Sequence, residues 1–390
     1  MKLPFLLAVS LISFSQLLPA KNMTELTVEE LRIENAQRAM PEITARFDNI
    51  TDKFLGQINR ARNYTALTQL VILYSRVLWE HAVVSFDRHH DFDDRALYWA
   101  RLKMSKALRQ SPAYANLFVN QQEKLQEKLE LSSRGVGNIT FDRDVKKKIL
   151  ITGFDPFFLD KNIKQSNPSG AAALALDDLL ISFNEEDAEI ETVILPVRFA
   201  DFDQGMVEKI LTPYLKNHKI DMLVTISMGR KDFDLERFPA LRRSAQAPDN
   251  LNVYTGASSG SPFVPYLKDK PLNTPEFVEF SLPAELMQQA QGPYKININA
   301  KITTLVDGKS KSFTAYSLAQ LKNAISVQGS GGGYLSNEVS YRSILLRDKF
   351  YPLLPVGHIH TPRIKQYSAA TNKAIVKQIK NMLSLAIKDV

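Results

Sequence analysis

At about residue 146 the hydrophobic period of this 390-residue chain changes, and that change limits what the chain can fold into. Before it, "TVEELRIENAQRAM", "TALTQLVILYSRVLWEHAVVSF", "DRALYWARLKMSKALRQ" and "ANLFVNQQEKLQEKLEL" set apolar residues three and four apart, the spacing of one helix face. Glycine is nearly absent there, and Thr27 with Glu30 has the form of a capping box. The segment 24–133 therefore reads as all-α, with a linker at 134–145 where "RGVGN" interrupts the pattern. Beyond it, "KKILITGF", "AEIETVILPV", "IDMLVTISMG", "AISVQG" and "LLPVGHIH" read as strands. "NPSGAAALALDDLLISF", "FDQGMVEKILTPYLKNH", "NEVSYRSILLRDKF" and "TNKAIVKQIKNMLSLAIK" read as helices between and after them. This alternation predicts an α/β domain over 146–390, a mostly parallel sheet flanked by helices. Sites in such sheets form beyond the carboxyl ends of the strands.

The chain contains no cysteine, which excludes disulfides, thiolate metal sites and a cysteine nucleophile. A net charge of +7 with only short Lys/Arg runs gives no reason to expect a nucleic-acid partner. "MKLPFLLAVSLISFSQLLPA" has one basic residue, an apolar stretch and a small residue at Ala20, the plan of a secretory signal peptide over 1–20. Its apolar core is short for a membrane span. A secreted or periplasmic protein with no stable span is expected after cleavage, and a membrane-anchored one if the peptide is retained.

The glycine-rich "GSGGGYLSNEVSY" lacks the Gly-Lys-Ser/Thr of a phosphate loop, and "TGFDPF" is not a dinucleotide fingerprint, so no cofactor is expected. Phe154 and Phe157 sit in a turn after a strand, where they either meet a flat ligand group or belong to the core. His358 and His360 in "GHIH" share a strand face, as a metal pair would, but no third ligand stands nearby and no metal site is expected. "HHDFDD", His89 to Asp94, reads as a solvated turn between helices. Ser336 is either a nucleophile or a helix cap, and Glu236 either an orienting acid or a plain loop carboxylate. Taken together, Ser336, His360 and Glu236 each fall near the end of a strand and supply a nucleophile, a base and an orienting acid.

"TGFDPF", "NPS", "LPVRF", "LER", "APDN", "SLPAELM", "GGYLSNEVSY" and "GHIHTP" occur in this order between Lys147 and about Ile387. The series resembles the pyroglutamyl peptidases (pyrrolidone-carboxylate peptidases), a family of cysteine peptidases; the helical region lies outside the likeness. The resemblance implies that Glu236 orients His360, that Phe154 and Phe157 sandwich the lactam ring of an N-terminal pyroglutamate, and that Ser336 stands where the family has its cysteine. A hydroxyl is a far weaker acid than a thiol of pKa about 8.5, so base and oxyanion geometry must be right for it to attack. Further departures are Gln246 where much of the family has an arginine, Glu338 where many members have histidine, and an insertion at about 251–323 that could form a lid or a specificity wall.

The implied activity is an exported omega-peptidase that removes N-terminal pyroglutamate, or cleaves a related amide, through Ser336, His360 and Glu236. Its substrate would be a peptide or a small lactam-containing molecule. The alternative is an inactive relative that binds capped peptide termini or a protein partner. The helical region would then recruit that partner or cover the pocket.

Overall fold

The computed structural model of the chain describes residues 23–389 apart from 90, 91, 143 and 185, so the signal-peptide expectation lies outside the described residues. Among the described residues eight helices precede the first strand: α1 (Val28–Leu31), α2 (Ile33–Ala39), α3 (Pro41–Ala45), α4 (Asp48–Ile58), α5 (Tyr64–His89), α6 (Arg95–Gln110), α7 (Pro112–Ala115) and α8 (Val119–Ser132). The capping box forms as its residues dictate: the Glu30 amide donates to Thr27 Oγ1 at 3.2 Å and the Thr27 amide to Glu30 Oε2 at 2.7 Å. Leu67, Val71, Leu78, Trp79, Leu97, Leu125 and Leu129 bury the apolar faces of these helices in one core. Among the described residues no helix is long and apolar enough to cross a membrane.

The α/β part opens with β1 (Lys147–Phe154), α9 (Pro168–Leu176), β2 (Leu179–Phe183) and β3 (Glu186–Leu195). It continues with α10 (Phe199–Asp203), α11 (Met206–Lys216), β4 (Met222–Met228) and β5 (Phe233–Glu236). A β6/β7 hairpin (Tyr266–Leu267, Lys270–Pro271), α12 (Ala284–Met287), β8 (Ile296–Asn299), β9 (Lys301–Val306) and β10 (Lys309–Thr314) follow. The chain ends with β11 (Ile325–Gln328), α13 (Leu335–Phe350), β12 (Val356–Thr361) and α14 (Ala369–Ala386). Seven strands form the central sheet in the order β2-β3-β1-β4-β12-β5-β8. Its middle, β3-β1-β4-β12, is parallel, whereas β2 runs antiparallel to β3 and β5 antiparallel to β12. Ile149 and Ile151 of β1 point into a core with α9 and α14, and Leu150 into the opposite core with α11 and α13. Both faces are covered, which is why the central strands are continuous apolar runs.

Four local expectations are corrected. "DDLLISF" does not continue α9: Asp178 adopts a positive φ of 59°, and Leu179–Phe183 pairs with β3 as an edge strand. The helix expected from "FDQGMVEKILTPYLKNH" is split by Gly205 at φ 83°, a left-handed conformation that glycine adopts without steric cost. "AISVQG" lies outside the parallel sheet, because β11 pairs with β9 in a separate antiparallel sheet, β10-β9-β11. "HHDFDD" is not wholly solvated: Asp93 and Asp94 are buried, Asp93 in a 2.7 Å ion pair with Arg95.

The helical region and the sheet are joined by buried charge. Asp155, in the loop after β1, receives Arg101 from α6 and, at 2.7 Å, Arg134 from the segment after α8. Arg198 pairs with Glu29 at 3.1 Å and Glu130 at 2.8 Å. Gly135 is fixed here by space and backbone: its φ is 90°, and a Cβ would come within 2.6 Å of the Trp79 ring.

Candidate active site

The site forms where β4, β12 and the first turn of α13 meet the loop after β1. Phe154, Phe157, Asn167, Val197, Ser227, Met228, Tyr334, Leu335 and Ser336 line a pocket. Phe154 and Phe157 thus face one cavity, and Phe154 also belongs to the core, being buried and stacked on Phe202. None of these lining residues comes from the helical region, which meets the pocket from behind. Asp94 Oδ1 accepts the Ser166 hydroxyl at 2.5 Å and its Oδ2 the Asn167 amide at 2.9 Å. Asn167 then donates to the Asp155 carbonyl at 2.9 Å, and its Oδ1 caps α9. The "NPS" and "GFDPF" turns are therefore pinned to each other and to the helical region. Burial, and then the neighbouring Asp93, push the Asp94 carboxyl up to about 7.

His360 and Glu236 meet. His360 Nδ1 lies 2.6 Å from Glu236 Oε1, although 124 residues separate them. Glu236 is not a loop residue: it closes β5, the strand hydrogen-bonded to β12, and it is fully buried. Asn299 Nδ2 donates to its other oxygen at 2.9 Å and also to the Ser330 carbonyl at 2.9 Å. Asn299 comes from the insertion, whose strand β8 extends the sheet beside β5. A carboxylate on Nδ1 places the imidazole proton there and leaves Nε2 as the basic nitrogen. His360 Nε2 makes no hydrogen bond among the described residues.

Ser336 is not the helix cap. Tyr334 occupies the cap position of α13, and Ser336 is the second residue of its first turn. The amides of Leu335, Ser336 and Asn337 carry no hydrogen bond among the described residues, as expected for the start of a helix. Ser336 Oγ donates to the Gly331 carbonyl at 3.4 Å and makes no hydrogen bond with His360. The two side chains flank the same glycine: a Cβ on Gly331 would lie 3.5 Å from His360 Cε1. The glycine turn is tight by necessity, for a Cβ on Gly329 would lie 2.1 Å from Asn337 Oδ1, the atom that accepts the Ala240 amide.

The remaining candidates stand apart. His358 shares its strand face with His360, at 4.7 Å between ring centroids, but both its nitrogens are bonded to hydroxyls, Thr225 and Ser227, each at 2.7 Å. It has no lone pair to offer a metal. Gln246 is exposed and outside the pocket lining. Glu338 is buried; although burial opposes its ionisation, Arg243 and Arg342 hold its carboxyl below the usual range, in ion pairs of 2.6 and 2.8 Å.

Comparison with known proteins follows the division at residue 146. The family model described as PA0049 N-terminal domain matches residues 15–130, and that of the PA0049 C-terminal domain matches 148–273 and 312–365. The chain matches both domains of the PA0049 family. It is 27% identical over 419 residues to uncharacterized protein PA0049 of Pseudomonas aeruginosa, covering 83% of this chain and 75% of that protein. The gap at 274–311 in the second match contains α12, β8 and β9, so Asn299 lies outside the residues that this family model matches. Among solved structures, the chain is similar to the pyrrolidone carboxyl peptidase of Pyrococcus furiosus. That likeness has 21% identity and a TM-score of 0.42, over 62% of this chain and 99% of that one. A variant of the same peptidase gives 22% and 0.41.

Sequence reasoning missed Asn167 and Tyr334 as pocket walls, Asn299 as the partner of Glu236, and Ser227. Asn167 and Tyr334 left a signal, as parts of the "NPS" and "GGYLSNEVSY" segments.

Proposed function

We propose that this protein is a hydrolase of the pyroglutamyl-peptidase type that uses serine in place of cysteine. The observation that carries the reading is the buried Glu236–His360 pair, whose imidazole edge borders Gly331, the residue whose carbonyl accepts the Ser336 hydroxyl. In the proposed reaction Ser336 Oγ turns from the Gly331 carbonyl toward His360 Nε2, which takes its proton as Oγ bonds to the substrate carbonyl carbon. The oxyanion is received by the unpaired first-turn amides of α13, at the positive end of that helix. Nε2–H then protonates the leaving amine, the C–N bond breaks, and water clears the acyl group from Ser336 by the reverse use of His360. Phe154 and Phe157 supply apolar walls for a small ring, such as the lactam of pyroglutamate. Residues 1–20 are proposed to direct export and to be cleaved; mature protein recovered outside the cytoplasm should begin near Lys21, an intact Met1 in that fraction contradicts the cleavage, and retention of the chain in the cytoplasm contradicts export.

One observation favours a second reading, a binding protein for capped peptide termini: the Ser336 hydroxyl rests on Gly331 rather than on His360. Turnover separates the two. A pyroglutamyl amide should be cleaved by the full-length chain well above a Ser336→Ala control. Binding of that amide with turnover equal to the control would establish the second reading.

A further inference from the structure

Ser227 is a pocket-lining side chain to which the proposed reaction assigns nothing. It stands at the carboxyl end of β4, and its Oγ lies 2.7 Å from His358 Nε2. The direction of that hydrogen bond follows from the far end of the chain. Thr225 Oγ1 donates its single proton to the Gly357 carbonyl at 3.2 Å. With that proton assigned to the carbonyl, Thr225 accepts from His358 Nδ1 at 2.7 Å, and the ring proton is assigned to Nδ1. His358 is fully buried, and burial followed by the nearby His360 pulls its pKa well below 6.5, so the ring holds one proton and Nε2 is bare. Ser227 must then donate to Nε2. Its proton is committed inward, and what remains for the cavity is lone-pair density.

Apart from Ser336, the proposed nucleophile, the other polar walls are partly engaged. Asn167 gives one amide hydrogen to the Asp155 carbonyl and takes the Ser169 amide and hydroxyl on its oxygen, which leaves it one N–H donor. The Tyr334 hydroxyl donates to the Pro248 carbonyl at 2.8 Å. Phe154, Phe157, Val197, Met228 and Leu335 are apolar. An apolar pocket takes its specificity from its few free polar groups. We propose that Ser227 Oγ is a fixed hydrogen-bond acceptor in the pocket and that it selects ligands whose ring carries an N–H, against isosteres that lack one. Ser227 is not a second nucleophile. His358 has no carboxylate on its far nitrogen, unlike His360, and an imidazolium there would be buried without a counter-charge.

The assignment rests on the reading of the pocket as a ring-binding site, and the test separates the two. Binding of pyroglutamamide and of its lactone isostere, ring N–H replaced by oxygen, is measured by calorimetry on the full-length chain carrying Ser336→Ala, which prevents turnover. The lactam should bind about tenfold tighter, and Ser227→Ala added to this background should bring the ratio close to one. Equal affinities before Ser227 is changed overturn the acceptor and leave the hydrolase reading standing; binding of neither ring overturns both. Because Ser227→Ala could disturb the buried histidine, ¹⁵N NMR of the imidazoles in the unaltered chain gives an independent answer. A proton on His358 Nδ1 is expected. A proton on Nε2 would make Ser227 a donor to the pocket and overturn the proposal.

Discussion

Two adjacent histidines on one strand face have opposite roles because of what touches their Nδ1 atoms. Thr225 holds His358 as a neutral structural ring, whereas in the proposed reaction Glu236 prepares His360 to carry charge in a transition state. Glu236→Gln keeps the shape but removes the carboxylate that favours the imidazolium. On a pyroglutamyl amide kcat should fall roughly 10²–10⁴-fold with little change in KM. An unchanged kcat in steady-state kinetics would remove Glu236 from the mechanism. The meeting of His360 and Glu236 was legible in the sequence because each sits in a short, recognisable segment. Asn299 was not, since nothing in "ININA" shows that the strand will dock beside β5 and reach the far oxygen of Glu236. Ser227 was hidden for a similar reason: its meaning depends on the register that sets His360 opposite it and His358 opposite Thr225.

At the scale of elements, periodicity revealed α5, α6, α8 and the parallel strands, whose apolar patterns are long and uniform. It failed at "DDLLISF", where five apolar-rich residues after a helix can extend it or pair as an edge strand, and tertiary pairing with β3 decides. It failed also at the turn before α6, where a run of acids looked solvated. Asp94 is buried because it satisfies the Ser166 hydroxyl and the Asn167 amide, across from Asp93 and Arg95 on its own segment. Its carboxyl is raised from 3.8 to about 7 in the folded chain. Between those values the native state keeps a proton that the unfolded chain has lost, so this group's contribution to stability falls as pH rises across that window. Denaturant unfolding of Asp94→Asn should show a flatter pH profile than the unaltered chain between pH about 4 and 7, with parallel curves above it. Parallel curves throughout would mean that Asp94 titrates at its ordinary value.

At the scale of the whole molecule, the two regions separated by the change of period are not independent modules. Arg101 and Arg134 reach from the helical side to one buried carboxylate, Asp155, in the turn that carries Phe154 and Phe157. Asp155→Ala would strand the Arg101 guanidinium and leave Arg134 with Glu130 as its remaining carboxylate, and should cost about 3–5 kcal/mol. The exposed pair of Lys209 with Glu127 offers a control, and Lys209→Ala should cost under about 1 kcal/mol. Equal losses in chemical denaturation would show that the Asp155 cluster does not join the regions. The pocket held by this joint is where Ser336 is expected to act, and covalent trapping tests that most directly. A fluorophosphonate incubated with the full-length chain should add one equivalent, mapped by peptide mass spectrometry to Ser336 and absent after His360→Ala. No adduct, or an adduct on another residue, would contradict the account.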